Sequence, residues 1–136
     1  MLNKVLLSNS LFSGITGVTI FFISDLLNQQ IPGPGWLFTM ISIGLILFSA
    51  QLFLMTQYKT LADKLILQVI GSDIGWVVLS TAGLLSYLDS FSTMGMTLVI
   101  LINVVVSVLA WMQLSAYRNE AISATDTGRE IQGNIL

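Results

Sequence analysis

Four runs of about 20 predominantly apolar residues take up most of this 136-residue chain, and they constrain its fold more than any other feature. About 20 helical residues at 1.5 Å each cross roughly 30 Å of hydrocarbon. In that solvent a backbone must satisfy its own hydrogen bonds, so each run is expected to be a helix. The runs predict helices at about 9–28, 36–57, 65–88 and 95–117. Charged residues make up only 9% of the chain, where a soluble domain carries about 25%. The expected class is therefore all-α: a polytopic protein with four transmembrane helices in an antiparallel bundle. It forms a single domain over residues 1–118, with a polar tail at 119–136. Lys4 followed by an apolar stretch resembles a secretory signal, but the run continues through Phe21, Phe22 and Ile23 to Leu27 with no small-residue cleavage site. That is longer than a usual h-region, so the first helix is expected to be retained.

Charge placement sets the expected orientation. The five basic residues, Lys4, Lys59, Lys64, Arg118 and Arg129, fall before the first helix, between the second and third, and after the fourth. In a four-helix serpentine those places share one side, and the positive-inside rule makes that side cytoplasmic. Both termini are then expected in the cytoplasm. The outer connections, 28–35 and 89–94, carry no basic residue. Pro32 and Pro34 push the residues before them out of the helical region, and Gly33 and Gly35 permit a tight reversal. The linker from Lys59 to Lys64 has no such breaker and reads as partly helical, and the tail after Arg118 reads as either a helical extension or disordered chain. Trp36 and Tyr87 fall at the outer interface, Tyr58 and Tyr117 at the inner one, as an aromatic belt requires.

The chain contains no cysteine and no histidine. Disulfides, thiolate nucleophiles, the usual zinc sites, the usual haem ligands and the commonest neutral-pH proton shuttle are thereby excluded. The methionines read as gap-fillers, because copper sites mix in histidine or cysteine. No metal and no cofactor are expected, and five dispersed basic residues give no nucleic-acid surface.

One residue breaks the apolar pattern. Asp73 lies inside the third run, where a carboxylate costs several kcal/mol unless it is protonated, paired or hydrogen-bonded, so it is expected to face the bundle interior. Counted from the helix centres, Asp73, Gln51 and Ser13 each lie roughly 6–8 Å to the cytoplasmic side of the midplane. Gln113 comes from a nearby depth. These four form a candidate intramembrane polar site, either interhelical glue or a titrating or ligand-anchoring group. Trp76 and Trp111, away from the belts, are core residues or the stacking wall of a lipophilic ligand.

Small residues supply the remaining pattern. Gly71 and Gly75, with Gly83 further on, lie along one face of the third helix, where another backbone can approach closely. Gly14 and Gly17, with Ser10, form a similar surface on the first helix and are the expected mate for it. The third-helix face serves either packing within the bundle or self-association.

The Ser13-Gly14-Ile15-Thr16-Gly17 stretch, the Asp73-Ile74-Gly75-Trp76-Val77 stretch and a fourth helix ending near Trp111-Met112-Gln113 together resemble a family of small uncharacterised four-helix bacterial inner-membrane proteins. The resemblance covers nearly the whole chain and implies the bacterial inner membrane, but no activity. Small multidrug resistance transporters also have four helices, but their essential acid is a glutamate within the first, where this chain has only Asp25 near the end. A single intramembrane acid without a partner of separated pKa argues against catalysis. The expected role is non-enzymatic: an accessory or structural subunit that packs in the lipid bilayer with itself or with a larger membrane complex. The alternative is a proton- or cation-coupled small-molecule carrier, or a lipophile-binding protein, using Asp73.

Overall fold

The computed structural model describes residues 1–133, and the side-chain surroundings of residues 1–127. Among them are α1 (Leu2–Gln30), α2 (Leu37–Gln57), α3 (Lys59–Ser86), a single 3-10 turn at Leu88–Ser90, and α4 (Thr93–Gly133). All four helices are long and apolar enough to cross a membrane. No more than 28% of any of their apolar windows is buried. Phe22, Leu79 and Leu47 are among the large apolar side chains left exposed. An exterior of this kind is compatible with a multi-pass membrane protein.

The Pro-Gly segment separates α1 from α2 where the sequence predicts a break, but three helix limits differ. α1 starts at Leu2 rather than near residue 9, because Leu2, Val5 and Leu6 are buried and hold the first two turns in the core. The segment Lys59–Lys64 is no linker: it forms the opening turns of α3, with Ala62 buried, and the chain breaks only at Tyr58, which is extended at φ −123°, ψ 100°. α4 runs on past Arg118 into the polar tail. No proline interrupts it there, and the hydroxyls of Ser123, Thr125 and Thr127 donate back to carbonyls four residues earlier. Its 41 residues span about 60 Å, twice the hydrocarbon thickness. The last three residues of the predicted tail, 134–136, lie outside the described residues.

The most extensive helix–helix contact among the described residues joins α1 to α2. Ser10 Oγ donates to the Ser49 carbonyl at 2.9 Å, and Ser49 Oγ donates to the Ser10 carbonyl at 2.7 Å. Further along, Ser42 Oγ donates to the Gly17 carbonyl at 2.7 Å, and Asn3 Nδ2 to the Thr56 carbonyl at 3.3 Å. Residue numbers along α2 fall as those along α1 rise. A Cβ on Gly14 would lie 2.7 Å from Ser49 Oγ, and one on Gly17 would lie 3.0 Å from Leu45 Cβ and 3.1 Å from the Ser42 carbonyl oxygen. The missing side chains let the backbones come close enough for hydroxyl-to-carbonyl bonds across the seam.

This corrects the expected pairing of the two glycine faces. Gly14 and Gly17 mate with α2 and not with α3, and nothing lies within 4 Å of a Cβ built on Gly71, Gly75 or Gly83. α3 pairs instead with α4 and touches α2 only lightly.

The four helices converge at the end that carries Lys4, Lys59, Lys64 and Arg118. Leu6, Leu52, Met55, Ile66, Val69 and Ala116 form one core there, with at least one residue from each helix. At the opposite end a smaller cluster of Ile20, Leu27 and Phe38 holds α1 to α2, with Leu98 of α4 packed against it and nothing from α3. α3 buries no residue between Asp73 and Leu84. The start of α4 is nevertheless docked on the end of α1: the Ser92 amide donates to the Gln30 carbonyl at 3.1 Å, and a Cβ on Gly95 would sit 2.5 Å from that oxygen. The α1–α2 and α3–α4 pairs are thus closed at the basic end and less tightly joined beyond Asp73.

Gly17→Leu is therefore expected to overpack the α1–α2 seam and lower unfolding stability by about 1–3 kcal/mol. Gly75→Leu, entering open space, should change it by less than about 0.5 kcal/mol. Detergent-titrated unfolding of both variants tests this, and the reverse order of effects would show that the seam has been misassigned.

Candidate functional site

Asp73 projects from α3 at the level where the two helix pairs begin to part, and it is only 6% exposed. Asn9 Nδ2 donates to its Oδ2 at 2.8 Å, and Ser13 Oγ donates to Asn9 Oδ1 at 3.2 Å. Asn9 and Ser13 are four residues apart on α1, so both reach the same point through one helical turn. The serine orients the amide and the amide orients the carboxylate. Gln113 of α4 is fully enclosed beside the same carboxylate and faces it as a second donor. That contact is not drawn into hydrogen-bonding geometry, and both ends of the Gln113 amide are left without a partner. Buried polar groups in that condition cost about 1–3 kcal/mol each.

Three of the four sequence-derived polar residues, Asp73, Ser13 and Gln113, come together. Gln51 does not join them: it is half-buried on α2 and makes no side-chain hydrogen bond among the described residues. Asn9 takes the place expected of it. With α1 started at residue 9, Asn9 reads as an interfacial end. With the helix extended to Leu2 it lies two turns inside, and the signal was an asparagine one turn before Ser13.

The carboxylate borders a cavity. A lobe of about 250 Å³ lies between the helix pairs, with Phe12, Phe48, Ser72, Asp73 and Trp76 in its wall. A second lobe of about 280 Å³ adjoins it toward the loop end, and Phe12, Thr16, Ile20, Ile41, Trp76 and Ile102 line both. Trp76, three residues after Asp73, shares its helix face. Trp111 is 70% exposed on the outside of α3 and α4, so the two tryptophans do not form one wall.

The second lobe passes another polar clasp on its way to the loop end. Ser80 Oγ donates to Asn103 Oδ1 at 2.7 Å, and Asn103 Nδ2 donates to Thr81 Oγ1 at 3.2 Å, which ties α3 to α4. Seven residues separate Asp73 from Ser80, about 10 Å along the helix. The cleft is thus mainly apolar, with a carboxylate near one end and a hydroxyl–amide pair partway along it.

No basic group among the described residues enters this layer. The polar groups around Asp73 are the amides of Asn9 and Gln113 and the hydroxyls of Ser13 and Ser72, and the basic residue nearest to it along α3, Lys64, is nine residues away. Oδ2 holds the Asn9 bond, while Oδ1 has no hydrogen-bond partner among the described residues. A wider depression of about 620 Å³ lies at the basic end, where Asn3, Lys59, Asp63 and Glu120 meet. Its side chains are mostly exposed, and it holds no enclosed polar group in need of a ligand.

If the Asn9–Asp73 bond ties α1 to α3, a double-mutant cycle on Asn9→Ala and Asp73→Ala should give a coupling energy of about 0.6–1.7 kcal/mol in unfolding stability. Purely additive effects would mean that the bond contributes nothing to the fold.

No family model, no curated protein sequence and no solved structure matches the chain. Its function has to be argued from the geometry of this site.

Proposed function

We propose that this chain is a non-enzymatic, multi-pass protein of the bacterial inner membrane that holds a lipophilic small molecule in the cleft between its helix pairs, with Asp73 as the polar anchor. The observation that carries the reading is the apolar cavity bordered by a single buried carboxylate. Ligand sites are mostly apolar hollows with a few placed polar groups, at volumes of roughly 300–1,000 Å³, and the two adjoining lobes suit a ligand at the small end of that range. Catalysis lacks support because acid–base work needs a second group of separated pKa, and the cleft offers one acid beside two amides.

The accompanying topology is an antiparallel bundle with both termini cytoplasmic. It is supported by the opposed numbering of the α1–α2 contacts, by the gathering of four of the five basic residues at one end, and by the positive-inside rule. The bacterial location rests on the sequence resemblance. A second reading, an accessory subunit that packs with itself or with a larger complex, is favoured by one observation, the uncovered Gly71–Gly75 face of α3.

Two experiments test these readings. The chain has no cysteine of its own, so single cysteines at Gly33, Ser92 and Thr127 can be probed with an impermeant thiol reagent on intact cells. Labelling is expected at Gly33 and Ser92, and labelling at Thr127 alone would invert the topology.

For the cleft, Trp36→Phe and Trp111→Phe leave Trp76 as the single tryptophan. A dibrominated long-chain alcohol in nanodiscs should quench Trp76 saturably. Thr16→Phe, which fills both lobes, should leave only the linear quenching of a probe dissolved in lipid. Identical linear quenching with and without that substitution would remove the lipophile site.

A further inference from the structure

We infer that the lipophile is an amine, whose protonated nitrogen pairs with Asp73 Oδ1 while its apolar body lies along the lobes beside Trp76. The inference rests on the lipophile-binding reading and adds the chemistry of the head group.

The argument begins with charge. Asp73 is enclosed, and the groups around it are amides, hydroxyls and apolar side chains, with no basic residue among the described residues in the layer. A buried carboxylate is neutralised by a proton, by a cationic neighbour or by a metal, and only the last two leave it charged. Lys4, Lys59, Lys64 and Arg118 all belong to the basic end, so among the described residues the counter-charge has no source at the depth of Asp73. A protonated amine brings that charge with the ligand.

Hydrogen bonding points the same way. Oδ2 is taken by Asn9, and Oδ1 remains for a further donor on a residue that borders the cavity. An ammonium is donor-only, whereas a hydroxyl or carbonyl head would present lone pairs to the carboxylate as well. Trp76, on the same helix face as Asp73 and in the wall of both lobes, adds an aromatic surface of the kind that attracts cations.

The same reasoning separates a free lipophilic amine from the ammonium of a bilayer lipid such as phosphatidylethanolamine. That head group carries a phosphate beside its ammonium, and the cleft offers no basic residue to receive it. With Asp73 already supplying a negative charge, a zwitterion would bring two anions against one cation. The occupant is therefore a compact amine with an apolar body and no anionic group.

The test uses the full chain in phosphatidylcholine nanodiscs with Trp76 as the single tryptophan. The probes are a dibrominated long-chain primary amine and the alcohol of the same chain. The amine is expected to reach half-saturation at a concentration about tenfold or more below the alcohol. Asp73→Asn, which keeps shape and hydrogen-bonding capacity without the charge, should bring the two probes to within about twofold of each other. Circular dichroism and the thermal midpoint report whether that variant is folded.

Equal half-saturation of the two probes in the parent protein would overturn the amine assignment and leave the lipophile site standing. So would a preference that survives in folded Asp73→Asn. Absence of saturable quenching by either probe would overturn the site itself, and the amine with it. Replacing half of the phosphatidylcholine with phosphatidylethanolamine is expected to leave the amine's half-saturation unchanged. A several-fold increase would identify the bilayer lipid as the occupant and overturn the free-amine assignment.

Discussion

The seam between α1 and α2 is the contact on which the rest of the molecule depends. Within hydrocarbon no hydrophobic force drives two apolar helices together, because lipid solvates them as well as they solvate each other. Association has to come from close van der Waals packing and from polar groups that prefer each other to lipid. Gly14, Gly17, Ser10, Ser42 and Ser49 supply both in one interface, and the two reciprocal serine-to-carbonyl bonds are available only because the glycines bring the backbones within reach. No comparable set of contacts joins α2 to α3.

That inequality gives the molecule its shape. Two well-joined helix pairs meet in a shared apolar core at the basic end and are less tightly joined beyond it, where α4 still docks on α1 but α3 contributes nothing to the second cluster. The Asn9–Asp73 bond sits at the point of separation and bridges α1 to α3 where apolar packing gives out. The cavity begins on the other side of that bond. Asp73 therefore joins the helix pairs through Oδ2 and borders the cavity from the same position. Glue and ligand anchor, opposed as readings of the sequence, are compatible at this one residue.

Gln113 belongs to the same economy of polar groups. It is enclosed at the basic side of the carboxylate with its amide unsatisfied.

The sequence by itself determined the class, the number of membrane-length helices, the break at Pro32–Gly35 and the burial of Asp73. Each follows from a local property: apolar run length against hydrocarbon thickness, backbone restriction at proline, and the cost of a charge in lipid. Tertiary structure alone decided which partners those elements took. Small-residue faces look alike in sequence, so only the packed bundle could show that Gly14 and Gly17 meet Ser42 and Ser49 on α2 while Gly71 and Gly75 stay uncovered. Depth arguments fix a residue's height but not its azimuth around the helix. Gln51 was therefore as good a partner for Asp73 as Asn9 until the rotation of α1 and α2 about their axes was set by that seam. The cleft was invisible for the same reason: a space between helices depends on how far pairs separate, and no single helix encodes that distance.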